Sequence, residues 1–143
     1  MGLGRLDDCI KTGHIRRIEP SRETAKRIVA KAGVILDEAA KSLDSGVLDG
    51  SLLMSYETML LSGKALLAKD GFREKNHYCV VVYVQEAYAD KGKISNEAVE
   101  LFDHYREVRH MVAYAPDFFA TESDAKEALR NASRFLSEVK KLV

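Results

Sequence analysis

The residues best suited to chemistry crowd into one stretch, Leu101 to Pro116, which reads LFDHYREVRHMVAYAP. It holds Arg106 and Arg109, His104 and His110, and Tyr105 and Tyr114. Guanidinium groups present planar forks of donors that match phosphate oxygens. Imidazole titrates near neutrality and serves as a general acid or base. A tyrosine hydroxyl can hydrogen-bond a phosphate or accept a modification. Together these types point to chemistry at a phosphate group. Arg106 and Arg109 are the candidate phosphate contacts, His110 the candidate general acid or base, and Tyr114 a candidate hydrogen-bond partner of the phosphate. Each has a plainer alternative. The arginines could be solvated or paired with Asp103 or Glu107. His110 could be a surface or dimer-interface histidine, and Tyr114 an amphipathic side chain closing a helix end.

Such residues must be positioned by a helix. At roughly 100° per residue, Leu101, Tyr105, Val108 and Val112 form one apolar stripe. Phe102, Arg106, Arg109 and Ala113 form a second stripe beside it, with His110 at its edge. The first stripe has a core to fill. The second puts Phe102 on the cationic side, so Phe102 and Met111 are expected to need a further covering surface, such as a second copy of the chain. Ser95 is a suitable N-cap, and the helix must end before Pro116.

The elements around it also read as helices. Leu3 to Lys11 is a short one, ended by Gly13, and the following HIRRIEPS is read as a loop whose basic residues could extend a cationic patch. Ser21 to Leu43 shows the clearest 3.6-residue period, through Ala25, Ile28, Val29, Ala32, Leu36, Ala39 and Leu43. Ser51 to Lys69 carries Leu52, Tyr56, Met59, Gly63 and Leu66 on one stripe, with Tyr56 and Met59 expected in the core. Gly63 on that stripe suggests close approach of a neighbour, and Gly71 suits a left-handed helix cap. Arg73 to Ala89 contains YCVVVYV, a run of high β-propensity. No second strand is evident, and His77, Val81, Val84 and Tyr88 keep helical spacing, so this segment is read as a helix. His77 on that stripe suits a buried histidine bonded to a neighbouring helix. Thr121 opens a capping box with Asp124, and the last helix runs to about Lys141, with Ala125, Leu129, Ala132, Leu136 and Val139 facing inward. The expected fold is all-α: an antiparallel up-and-down bundle of four to five helices with a short extra N-terminal helix. Residues 1–143 read as one domain, with 1–20 an extension and 21–143 the bundle.

The chain has 143 residues, long enough for a sizeable core, and is 46% hydrophobic and 31% charged. Its 22 basic residues balance its 22 acidic ones. That balance argues against the broad positive field of a tight nonspecific nucleic-acid binder, while leaving room for a local basic patch. Cys9 and Cys79 lie far apart in apolar segments, which suits buried reduced thiols. No metal-ligand spacing appears, and no metal or cofactor is expected. The N-terminus lacks the apolar core of a signal peptide, and no apolar run is long enough to span a bilayer. The expected location is the cytoplasm, with no membrane partner.

Three stretches in this order, SYETM (Ser55 to Met59), ALLAKDGFREKNHY (Ala65 to Tyr78) and RHMVAY (Arg109 to Tyr114), resemble the HEPN domain family of prokaryotic helical proteins. The resemblance covers roughly Ser21 to Val143. It implies a helical bundle that forms a homodimer. In many relatives it also implies a toxin encoded beside a minimal nucleotidyltransferase that acts as its antitoxin. In active relatives the toxin is a metal-independent ribonuclease. Its motif is an arginine, four to six residues, then a histidine, with two copies meeting across the dimer. Arg109 matches the arginine, but Tyr114 stands four intervening residues later. From Arg106, His110 follows after only three. A branch of the family carries tyrosine at that place, and this sequence resembles that branch. A phenol, titrating near about 10, is a poor general base. Two functions are therefore expected. One is a toxin-like protein acting on RNA with a nucleotidyltransferase partner. The other is a non-catalytic dimeric module that binds a nucleotide or a protein.

Overall fold

The computed structural model describes residues 5–143. In order along the chain, α1 spans Arg5–Lys11, β1 Ile15–Arg17, α2 Arg22–Asp44 and α3 Leu48–Asp70. After these come β2 at Phe72–Glu74, α4 at His77–Val84, α5 at Asn96–Tyr114 and α6 at Glu122–Lys140. The all-α bundle expected from the sequence is what forms. The expected start of the first helix at Leu3 lies outside the described residues.

The helix ends follow local chemistry. Ser21, Ser95 and Thr121 each accept a hydrogen bond from a backbone N–H of the first turn they precede. Thr121 and Asp124 complete the capping box reciprocally, at 2.9 and 3.0 Å. Gly71 closes α3 with φ 91°, a left-handed geometry that side chains avoid. A Cβ there would also sit 2.7 Å from the Pro20 ring.

The hub of the bundle is α3, not the helix that carries the arginines. It packs on α2, α4, α5 and α6. It is buried nearly all round, from Ser51 and Leu52 to Leu67 and Ala68. Towards α2 it presents small hydroxyls, and Ser51 donates to the Ala39 carbonyl at 2.8 Å. Gly63 lies where α3 faces both α4 and α5. A Cβ at 63 would be 2.7 Å from Val80 Cγ1 and 3.4 Å from the Phe102 ring. The close approach expected of Gly63 is therefore present.

Four expectations need correcting. Cys9 and Cys79 are not free thiols but form a disulfide across 70 residues, fastening α1 to α4. Both are buried, as expected, but sequence distance did not reveal that α1 folds back onto α4. HIRR is not wholly a loop. Ile15 to Arg17 pairs antiparallel with Phe72 to Glu74. Strands of three residues are too short to show alternation. The segment from Arg73 is consequently split, and only its part from His77 is helical. Finally, Phe102 needs no second chain. It is fully buried between Tyr56 and Phe135, with ring centroids 6.1 and 5.2 Å away.

The YCVVVYV run is helical despite its β-propensity. Cys79 to Val84 are all buried between neighbouring helices, and burial outweighs a preference worth at most about 1 kcal/mol. Past Val84 the helix widens into a π-helical turn, Gln85–Ala89. The Asp90 N–H reaches the Gln85 carbonyl at 2.8 Å, and the Gln85 side-chain amide donates to Asp90 at 2.7 Å and to Asn96 at 3.1 Å.

Candidate functional site

The site is assembled where the first turn of α4 meets α3 and the middle of α5. Asn76 caps α4 by accepting from the Cys79 N–H at 2.8 Å. The cap fixes His77 and Tyr78 in the first turn. His77 Nδ1 lies 3.1 Å from the hydroxyl of Tyr56 on α3, the neighbouring-helix bond its apolar stripe suggested. Tyr56 is 1% exposed. Burial pushes its hydroxyl well above the usual phenol range, with Arg106 and Arg109 pulling the other way. Its O–H is thus never ionised near neutrality and must be donated. Nδ1 is the acceptor within reach, and a buried donor left unpaired is costly. This hydrogen-bond accounting leaves Nε2–H as the outer donor of His77.

His77 is held neutral. Burial first, then the charges of Lys64 and Arg109, lower it below 6.5, while Glu57 and Glu74 oppose them. Lys64 is partly engaged by Glu74 at 3.3 Å. Arg109 is half-buried and has no carboxylate within 4 Å among the described residues. Its charge bears on both Tyr56 and His77.

Arg106 behaves differently. Its Nε donates to Asp103 at 2.9 Å, and its guanidinium lies 5.3 Å from the Tyr78 ring centroid. Arg5 donates to the Tyr78 hydroxyl, so α1, through the disulfide, stiffens this side of the site. Beyond Tyr78 a groove of about 430 Å³ runs along α4 and α5, with Glu86, Asp90, Glu100 and Asp103 on its walls. Of the two arginines, only Arg109 keeps an unneutralised charge.

The other candidates lie further along α5. His110 and Tyr114 are exposed and face each other, ring centroids 4.8 Å apart. Tyr114 is 66% exposed. The five-residue step from Arg109 to Tyr114 turns them roughly 140° apart about the helix. The structure therefore pairs Tyr56 with His77 and His110 with Tyr114, and the charge of Arg109 bears on the first pair. Tyr56 was legible as a buried residue and His77 as bonded to a neighbouring helix, although His77 is only half-buried. Their meeting was not, since it depends on how α3 and α4 pack.

This arrangement lies inside a segment with a family signature: residues 18–142 match the model of the HEPN domain. The chain belongs to the HEPN domain family. None of the curated proteins compared with it matches. Among the described residues no helix of this HEPN protein is long and apolar enough to cross a membrane.

Proposed function

We propose that this HEPN protein grips a phosphodiester of RNA with Arg109 and His77, as a homodimer and as the toxin-like member of a pair with a minimal nucleotidyltransferase. The observation that carries the reading is the unneutralised, half-buried Arg109, whose charge bears on the Tyr56–His77 pair. A guanidinium fork and a neutral imidazole N–H are both donors, and a phosphodiester offers only acceptors. If cleavage occurs, the two donors would stabilise charge on the phosphoryl oxygens, and a base would have to come from elsewhere in the dimer. The test is a purified full chain titrated with RNA and assayed for cleavage. Arg109→Ala should weaken binding by about tenfold or more, as expected for a charge-assisted contact. An Arg109→Ala chain that binds and cleaves like wild type would sink the reading.

A second reading is favoured by one feature. Tyr114, at the place of the motif histidine, is 66% exposed and tilted against the His110 ring. It makes the protein a non-catalytic module that binds a nucleotide or the nucleotidyltransferase. Calorimetry with ribonucleotides and co-purification with the product of the adjacent gene separate the two; binding without turnover supports the second. Homodimer formation rests on Met111, Tyr114 and Phe119, exposed at 43%, 66% and 74%. A monomer at micromolar concentration in sedimentation would contradict it. A cytoplasmic location belongs to the same proposal. The disulfide speaks against it, because such bonds persist mainly in oxidising surroundings.

A further inference from the structure

The small sheet contains a pairing that folding alone disfavours. Arg16 on β1 stands directly opposite Arg73 on β2. Both are exposed, and neither has a carboxylate within 4 Å among the described residues. Like charges directly across an antiparallel pair weaken it. The register cannot slip to separate them. Ile15 is 1% exposed, and the ladder is bracketed by Ile18 N–H to the Gly71 carbonyl at 2.9 Å and Lys75 N–H to the His14 carbonyl at 2.7 Å. The neighbouring positions are complementary by contrast. Arg17 lies over the Phe72 ring at 5.1 Å, and Glu74 is engaged by Lys64.

We infer that the Arg16–Arg73 pair is a second phosphate-binding station, taking the backbone of a single-stranded RNA whose scissile or bound phosphodiester lies at Arg109 and His77. This inference rests on the phosphodiester reading above. Two guanidinium forks side by side donate to one or two phosphates and relieve their mutual repulsion in doing so. β2 runs straight into the cap of α4, so Arg73 and Lys75 lead along the chain to His77. The groove beyond Tyr78 sets Glu86, Asp90 and Glu100 against Arg5, with Asp103 paired to Arg106, and so disfavours a polyanion. The strand of RNA therefore leaves the site over the sheet. Such contacts set position and affinity and read no sequence. A neutral chain can bind this way because the charge is local.

The test is fluorescence anisotropy of the full chain with a labelled oligouridylate of about 16 nucleotides, titrated between about 50 and 200 mM salt. Arg16→Gln/Arg73→Gln should weaken binding by about tenfold or more. It should also reduce the slope of log K against log salt by about 1.4, two single-strand phosphate contacts. Its Tm should equal or exceed that of wild type, since a repulsion is removed. Lys26→Gln/Lys31→Gln on the outer face of α2 removes the same charge and should change little. Equal losses from both pairs, a lowered Tm in the arginine variant, or binding to anionic lipid vesicles in place of RNA would each overturn the inference. Arg109→Ala is run in parallel. If it weakens binding and the arginine pair does not, this surface fails and the phosphodiester reading stands. If only the arginine pair matters, the reverse holds. A wild type that binds no oligonucleotide overturns this surface, and Arg109-dependent binding of a ribodinucleotide, too short to reach the sheet, then decides the reading.

Discussion

Helix α5 passes through two environments. In its first half Ala98, Val99, Phe102 and Tyr105 are buried, and Phe102 sits among aromatic rings from α3 and α6. From Arg106 to Tyr114 no residue is fully buried. That second half holds Arg109, half-buried and without a carboxylate within 4 Å among the described residues, then His110, Met111 and Tyr114 at the surface. The contrast shows one helix doing two things. Its packed half fixes the axis, and a fixed axis lets the open half hold a guanidinium in a defined place. Flexible loops would hold it less well.

The comparison is sharpest when each half is cut. Phe102→Ala should cost about 3–5 kcal/mol in chemical denaturation. A loss below about 1 kcal/mol would mean that the first half is not the anchor. Reducing the Cys9–Cys79 bond, which closes 70 residues of sequence, should cost about 4 kcal/mol on the chain-entropy account. Its readout is a lower midpoint in dithiothreitol, matched by Cys9→Ser/Cys79→Ser. Gly63→Ala comes next, because the added methyl would meet Val80 and Phe102. Overpacking of about 1–3 kcal/mol should outweigh the helix-propensity gain of about 1 kcal/mol. A stabilised Gly63→Ala variant would show that α4 gives way freely and that the anchor is soft.

The open half should respond to solution conditions more than to truncation. His77 titrates below 6.5 in the folded chain because of burial and the nearby cations. Between that ordinary value and the lowered one, the unfolded chain binds more protons than the folded chain. Stability should therefore fall as pH falls through that window, and His77→Gln should flatten the fall in Tm measured from about pH 7.5 to 5. If RNA binding needs the neutral ring, it should weaken over the same window. Smallest of all, Met111→Ser should change monomer stability by no more than about 0.5 kcal/mol. A large loss there would place Met111 inside the core and erase the difference between the halves.

How far each part was legible follows from the kind of signal it carries. The helix starts at Ser21, Ser95 and Thr121 were readable because caps and capping boxes act within one turn. Helix α6 was readable as a helix, but its inward face was not complete. Ala128 and Phe135 are buried, whereas Leu129 is only half-buried, since the wheel does not reveal how wide a face its neighbours cover. The β1–β2 sheet was missed because three-residue strands separated by α2 and α3 leave no periodic trace. Arg106 and Arg109 share one stripe on the wheel. Asp103, one turn before Arg106, was legible as a partner; that the Tyr78 ring packs on Arg106, and that no carboxylate reaches Arg109 among the described residues, was not.

By itself the sequence determined the helical class, the caps, the left-handed turn at Gly71 and the amphipathic helix that bears Arg109, because all of these depend on residues within a few turns. Tertiary structure alone decided that α3 is the hub, that Cys9 meets Cys79, that Tyr56 bonds His77, and that Arg16 faces Arg73. Each of those joins residues distant in the chain, and nothing local in a sequence encodes which distant surfaces will share a boundary.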